Sequence, residues 1–490
     1  MDIKRLFDRK SNTLQAIWAA LGNMASFAVT LVTSMILSRY FNKEDYGTYK
    51  QVMYIYNTLL VVFILGLPQA FGYFLPRAKL EQGRDIVWKI TSMFFVAGFI
   101  YSSFLFMAST PISLFMNNGN LSYAIKLFSP VPFFMLPTMG LESIYSTYRK
   151  TYISAIYSIF SRIMMILFVV IPIIIWGGDY KSAIVGFVLS SFFVFCIALY
   201  LIFQPFKNLK REKSDISRMT ILKFSFPLMI GGLWSLVLNS TDQFFISRYF
   251  GTRIFAEFSN GSIELPFVGM IIGACTTVLY PLFSKMNKDG LNPREAIFPL
   301  WESVAKKTAM IIYPLLAFCW VYATELMVVL YGDSYEISAV YFRIKLVLNI
   351  FTLIAFTPII LSIGKTKYFA NVHMFAAISL VILEFVSVKT FASPYMITSI
   401  SVLCQLGKIC ALLAVVSNYF KVSFIELFPI REGVLIIPVS VMLVCIIKYL
   451  TNCYFPPLLS LVLGFVLYIT IFGFYSLFVG LKYRNLLRIG

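Results

Sequence analysis

The chain has 490 residues, of which 59% are hydrophobic and 13% charged, with 49 Phe. That leaves too little polar surface to coat a soluble globule, and a mean hydropathy of +0.82 places the chain among polytopic membrane proteins. The formal net charge of +19 lies largely in short loops between apolar runs, a pattern that points to anionic lipid headgroups and cytoplasmic retention rather than to nucleic acid.

Lys4, Arg5, Arg9 and Lys10 precede an apolar run longer than a signal-peptide core, with no small-residue cleavage site at the right distance, so the first run is expected to stay as a span. A helix needs about 20 apolar residues to cross the hydrocarbon core. Fourteen runs qualify: Thr13 to Leu37, Val52 to Phe74, Ile86 to Ala108, Tyr123 to Ile144, Tyr152 to Trp176, Ala183 to Phe203, Phe224 to Ile246, Ile263 to Phe283, Thr308 to Leu330, Ala339 to Ile363, Tyr368 to Val388, Tyr395 to Phe420, Gly433 to Thr451 and Pro457 to Val479. No series of short alternating segments suggests a β-barrel. The expected fold is all-α, with fourteen transmembrane helices. If each run crosses once and the N-terminus is inside, 28 of the 41 Lys and Arg fall on the cytoplasmic side. The bias persists to the last loop, which puts both termini in the cytoplasm.

Ser38-Arg39-Tyr40-Phe41 closes the first run, and the same tetrapeptide, Ser247-Arg248-Tyr249-Phe250, closes the seventh. At the same offset of 209 residues Tyr46 matches Phe255, Gly47 matches Ala256 and Tyr49 matches Phe258. The offset pairs span one with span seven, so each copy has six helices. An even number keeps the copies parallel, related by an axis along the membrane normal and rocking around a central cavity. The expected organisation is a six-helix half at 1–206, a cytoplasmic linker at 207–223, a second half at 224–420 and two added helices at 421–490. The linker, with Lys207, Lys210, Arg211, Lys213 and Arg218, reads both as a hinge and as a positive-inside anchor. Gly66, Pro68 and Gly72, then Pro227, Gly231 and Gly232, then Pro266, Gly269 and Gly273 mark helices that are bent for gating or closely packed.

Leu37-Ser38-Arg39-Tyr40-Phe41 followed by Glu44-Asp45-Tyr46-Gly47-Thr48-Tyr49 resembles the opening of polysaccharide transporters of the O-antigen flippase type. Asn239-Ser240-Thr241-Asp242 before Ser247-Arg248 resembles that family's seventh helix, and Gly66-Leu67-Pro68 its second. These proteins belong to the multidrug, oligosaccharidyl-lipid and polysaccharide exporter superfamily. The resemblance implies a non-enzymatic flippase that carries an undecaprenyl-diphosphate-linked oligosaccharide across a bacterial inner membrane. It also implies polymerase and other polysaccharide-assembly proteins as partners. Resemblance to the fourteen-span lipid flippases of the superfamily suggests a groove for the polyprenyl tail at the last two helices.

Arg162 and Lys408 lie well inside spans five and twelve, where charge is costly and marks a water-filled path or a partner. Two roles stay open for both: ligands of an anionic diphosphate, since Arg can grip two phosphate oxygens and Lys supplies a point charge, or structural ion pairs with Glu142, Glu325 or Glu384. Arg39, Arg248, Arg343 and Lys345 lie near enough to span ends to snorkel to the headgroups. As a repeat-related pair, Arg39 and Arg248 are also candidate clamps at the outer mouth. Asp242 and Glu264 are read as their counter-charges, or as groups that couple transport to Na⁺ or H⁺.

His373, the only histidine, has no second ligand at metal spacing, so packing suits it better than zinc. Six of the seven cysteines, Cys196, Cys275, Cys319, Cys404, Cys410 and Cys445, fall in apolar runs as core residues, and Cys453 lies near a loop. No Walker motif or ATP-binding domain is legible, so no bound cofactor is expected and an ion gradient, the membrane potential or downstream consumption must drive transport. Two further classes compete with the flippase. A cation-coupled drug or metabolite exporter predicts dominant cavity carboxylates, and a membrane polymerase or ligase predicts catalytic residues in a large outer loop. The outer loops here are short.

Overall fold

The computed structural model describes residues 12–478, except 208, 210, 211 and 353–355. The basic N-terminal cluster at 4–10, Lys210 and Arg211 of the linker, and Lys482, Arg484 and Arg488 lie outside the described residues. Those described are helical, with no strand among them, and they divide into two compact units at Ala256 and Glu257.

The first unit holds α1 (Asn12–Tyr40), α2 (Lys43–Phe63), α3 (Leu67–Phe74), α4 (Leu80–Phe115), α5 (Gly119–Thr147), α6 (Thr151–Trp176), α7 (Tyr180–Phe206) and most of α8 (Arg218–Gly261). The second holds α9 (Pro266–Lys288), α10 (Pro293–Val321), α11 (Ala323–Tyr331), α12 (Ser338–Thr352), α13 (Thr357–Ser362), α14 (Thr366–Thr390), α15 (Pro394–Phe420), α16 (Ile430–Tyr454) and α17 (Pro457–Phe478). Among the described residues eleven helices are long and apolar enough to cross a membrane, or twelve if α2 and α3 form one bent span. Of the fourteen expected segments, 263–283 is occupied by α9, and 339–363 by α12 and α13.

The breaks have local causes. Leu65 (φ 52°) and Gly66 (φ 65°) are both left-handed and bend α3 by 46° from α2. A Cβ on Gly66 would run into the Ser225 carbonyl oxygen of α8, so this glycine serves both bending and close packing. In α6, Pro172 has no N–H to offer the carbonyl of Phe168, and the helix widens to a π-turn over Ile166–Val170. Gly186 of α7 lets that helix settle directly on the freed Phe168 carbonyl, since any Cβ there would strike it.

The twin stretches share a register in space as well. Helix α1 ends at Tyr40, and Asn42 (φ −66°, ψ 163°) caps α2 by accepting from the N–H groups of Glu44 and Asp45 at 3.0 and 2.8 Å. The position 209 residues on is Gly251, the one non-helical residue inside α8 (φ 84°, ψ 175°). Leu37 and Ser38 are buried like Ile246 and Ser247, while Tyr40 and Tyr249 are 52% and 47% exposed.

The end of the linker is held against α4. Asp85 pairs with Lys89 at 2.7 Å and accepts from the Ser214 N–H and hydroxyl, while Lys89 donates to the carbonyls of Ser214 and Ile216. Between α15 and α16, Ser423 and Glu426 form a capping box. The Ser423 hydroxyl and N–H hold the Glu426 carboxyl below its ordinary range.

Gly186→Leu is expected to lower unfolding stability in detergent by about 1–3 kcal/mol, because α7 must lift from α6. Gly407→Leu, where an added Cβ would meet nothing within 4 Å, should shift the thermal midpoint far less.

Candidate functional site

Arg162 projects from α6 one turn before the π-widened stretch. Its Nε is buried and has no hydrogen-bond partner, and the electrostatic neighbour it faces is Tyr157, whose hydroxyl bonds to Thr138. Glu142, one proposed mate, is exposed on α5, and no ion pair forms at Arg162 among the described residues.

In the second unit Lys408 is half-buried on α15 and makes no ion pair among the described residues. The charge of Lys408 reaches His373 on α14, whereas the field of Glu384, fully buried on the same helix, reaches Cys404. His373 Nδ1 bonds to the Phe369 carbonyl at 2.9 Å and its ring lies over Phe369, a packed histidine. No group of three metal-ligating side chains occurs among the described residues.

Glu325 is engaged elsewhere. It sits in the first turn of α11, where the helix dipole favours a carboxylate, and receives Lys448 of α16 at 2.8 Å and Asn452 at 2.8 Å. Lys448 also donates to the Val321 carbonyl and lies over the Tyr322 ring. The Tyr322 hydroxyl meets Thr451, and Ser460 of α17 bonds to Thr451 and Asn452. This network staples the last two helices to α10 and α11. Lys448 was not singled out from the sequence, because only the fold brings residues 325 and 448 together.

Arg39 is exposed at the end of α1, and Arg248 lies over the rings of Phe115 and Tyr249 at 5.9 and 5.7 Å. Asp242 is buried in α8 and accepts from the Gln243 N–H, and Glu264 is exposed between α8 and α9. Arg248 and Asp242 thus lie on α8, Arg39 on α1 and Glu264 beyond the end of α8.

The first unit does gather a polar seam between α2 and residues 240–253 of α8. Gln51 donates to Ser247 (2.8 Å), Tyr54 to the Ser240 carbonyl (3.1 Å), and Arg253 pairs with Glu44 (2.9 Å). Asn118 extends the seam through Gln51 (2.6 Å) and Thr48 (3.0 Å). Gly47 allows the approach, since a Cβ there would strike the Thr252 carbonyl. Gln51 and Asn118 were not singled out from sequence; a glutamine amid Tyr49, Val52 and Ile55 was the available signal.

The second unit also contains an apolar cavity of about 240 Å³ where α10, α12 and α16 meet, walled by Leu316, Trp320, Val347, Ile350 and Val441.

With this geometry in view, the chain can be set beside known proteins. The family described as "Polysaccharide biosynthesis protein" matches residues 36–340. The succinoglycan biosynthesis transport protein ExoT of Rhizobium meliloti (strain 1021) is 21% identical over 337 residues. The match covers 66% of this chain and 64% of that protein, just under two thirds of its length. Among solved structures, the lipid II flippase MurJ in an inward closed conformation superposes with a TM-score of 0.72 at 18% identity, covering 96% of this chain and 100% of MurJ. An inward-facing multidrug resistance MATE family transporter gives 0.64 at 11% identity, covering 84% of this chain and 99% of that one. These two likenesses concern the fold.

The Glu325 network gives a direct test. Glu325→Ala strands Lys448 and is expected to cost about 3 kcal/mol, read as a lowered thermal midpoint in detergent. Adding Lys448→Met should recover most of the loss.

Proposed function

The chain belongs to the polysaccharide biosynthesis protein family, within a superfamily of multi-pass membrane transporters, and from that membership we propose that it is a flippase for a lipid-diphosphate-linked oligosaccharide. The observation that carries this reading is Arg162, a guanidinium inside an apolar helix whose Nε is buried without a partner. A cation kept unneutralised within the membrane is costly. The cost is offset when an anionic ligand arrives, and a diphosphate suits a guanidinium because two oxygens can be gripped at once. Lys408 supplies a second point charge in the other unit.

In this reading fourteen helices form two parallel six-helix repeats around a central cavity, with both termini in the cytoplasm of a bacterial cell and the substrate crossing its inner membrane. The apolar cavity beside α16 suits a stretch of polyprenyl tail. The seam between α2 and α8 serves as the outer gate, with Arg39 and Arg248 at its mouth. Asp242 and Glu264 act as counter-charges, polymerase and other assembly proteins receive the product, and no bound cofactor takes part. A second reading, a cation-coupled exporter of drugs or metabolites, draws on the fully buried Glu384.

Arg162→Ala and Lys408→Ala should each reduce surface polysaccharide export by about 10–100-fold, the value of one charge-assisted contact, with membrane insertion unchanged on immunoblots. Unchanged export with raised drug sensitivity would favour the exporter instead. In a background free of native cysteines, Glu44→Cys with Arg253→Cys joined by a short cleavable thiol cross-linker should stop export, and cleaving the linker should restore it. Export that continues while cross-linked would remove the seam from the gating cycle.

A further inference from the structure

A second recess, distinct from the cavity beside α16, opens in the first unit. Its volume is about 350 Å³. The α2–α3 break exposes Leu65 at one end, Met93, Val96 and Ile100 of α4 form a wall, and Leu222 of α8 closes the opposite side. Val96 and Ile100 are 60% and 52% exposed, so the recess is open along its length. Among the described residues lining it, the two polar side chains are Arg218 and Ser92, joined by an Nη2 to Oγ hydrogen bond of 3.3 Å.

The charges around Arg218 make it the cation of this recess. No carboxylate lines the walls. The neighbouring Lys89 is neutralised by Asp85 at 2.7 Å and spends further donors on Ser214 and Ile216. Those same bonds hold the chain leading into Arg218 against α4, so the guanidinium stands at a set height beside the apolar wall. From Ser92 to Ile100 the wall rises about 12 Å along α4, from the Lys- and Arg-rich ends of the spans towards mid-membrane.

An apolar slot with one fixed arginine at its polar end has the chemistry of a phospholipid site. Basic pockets between membrane helices on the positively charged side bind anionic headgroups. We propose that this recess binds one anionic phospholipid, its phosphodiester on Arg218 and Ser92 and one acyl chain laid along Met93, Val96 and Ile100 to Leu65. Arg218 stands with one hydroxyl and no second cation among the described lining residues, which matches the single charge of a phosphodiester better than the several charges of a diphosphate, for which the flippase reading supplies both Arg162 and Lys408. The site therefore stands apart from the transport path and does not depend on the flippase reading.

The full-length protein, delipidated in neutral detergent, would be titrated with phosphatidylglycerol or phosphatidylcholine and followed by native mass spectrometry and thermal unfolding. Wild-type protein should retain one phosphatidylglycerol about fivefold more tightly than phosphatidylcholine, the value of one basic contact at a membrane surface. Arg218→Gln, exposed enough to fold, should erase that preference, and Val96→Trp should fill the slot and weaken both lipids. Equal preference in wild type and Arg218→Gln, or unchanged binding in Val96→Trp, would overturn the proposal. Displacement of bound phosphatidylglycerol by equimolar undecaprenyl diphosphate would overturn it too, because the slot would then belong to a polyprenyl lipid. Lipid binding is measured here without transport, so a loss of export in any variant bears on the flippase reading and not on this site.

Discussion

Hydrocarbon offers no hydrogen-bond partner to a peptide group, and every break in these helices is shaped by that lack. Where Pro172 withdraws an N–H from α6, the orphaned Phe168 carbonyl is covered by the bare Cα of Gly186 rather than left facing lipid. Where α1 gives way to α2, the Asn42 side chain accepts from two of the free N–H groups of the first turn, those of Glu44 and Asp45. Tyr101 and Tyr468 extend the same economy, donating to the carbonyls of Tyr56 (2.6 Å) and Pro314 (3.2 Å) across neighbouring helices. At these two breaks the irregular backbone is accompanied by a glycine or a cap.

The same constraint sorts the intramembrane charges into two kinds. Lys448 has a carboxylate, a carbonyl and an aromatic face arranged around it, and it acts as a rivet. Arg162 has an aromatic hydroxyl in its field but no hydrogen bond at its Nε. A satisfied charge fixes structure, whereas an unsatisfied one stores a demand for a ligand. On the proposed flippase reading, that contrast separates fastening from function more sharply than depth in the membrane does.

What could be read from the sequence follows from how local each cause is. Hydropathy alone announces an all-helical membrane protein, and Gly66 betrays its break because φ preference belongs to a single residue, whereas the cap at Asn42 and the break at Gly251 were not singled out from the sequence. The number of spans is harder, since runs of apolar residues do not reveal where a helix stops. Segment 308–330 divides at Tyr322, and segment 339–363 resolves into α12 and α13. Arg162 stands out as a charge in an apolar run, yet the lack of a partner at its Nε is a property of the fold. The Gln51–Asn118–Ser247 seam and the Lys448–Glu325 pair join residues 67 to 196 positions apart, distances over which periodicity carries no information.

The contact between Glu44 and Arg253 has a historical implication. The two residues are 209 positions apart, the offset that relates the twin stretches, so each is the other's counterpart. In a symmetric dimer of identical chains, a residue on the two-fold axis meets its own copy. Two glutamates or two arginines would repel there. An attractive pair at this point requires that the copies already differed in sequence, which a single fused gene permits and a homodimer does not. Exposed as it is, the pair contributes under about 1 kcal/mol to stability. If the twin stretches descend from one duplicated segment, its sign marks it as younger than that duplication, a contact that became possible only after the copies stopped being interchangeable.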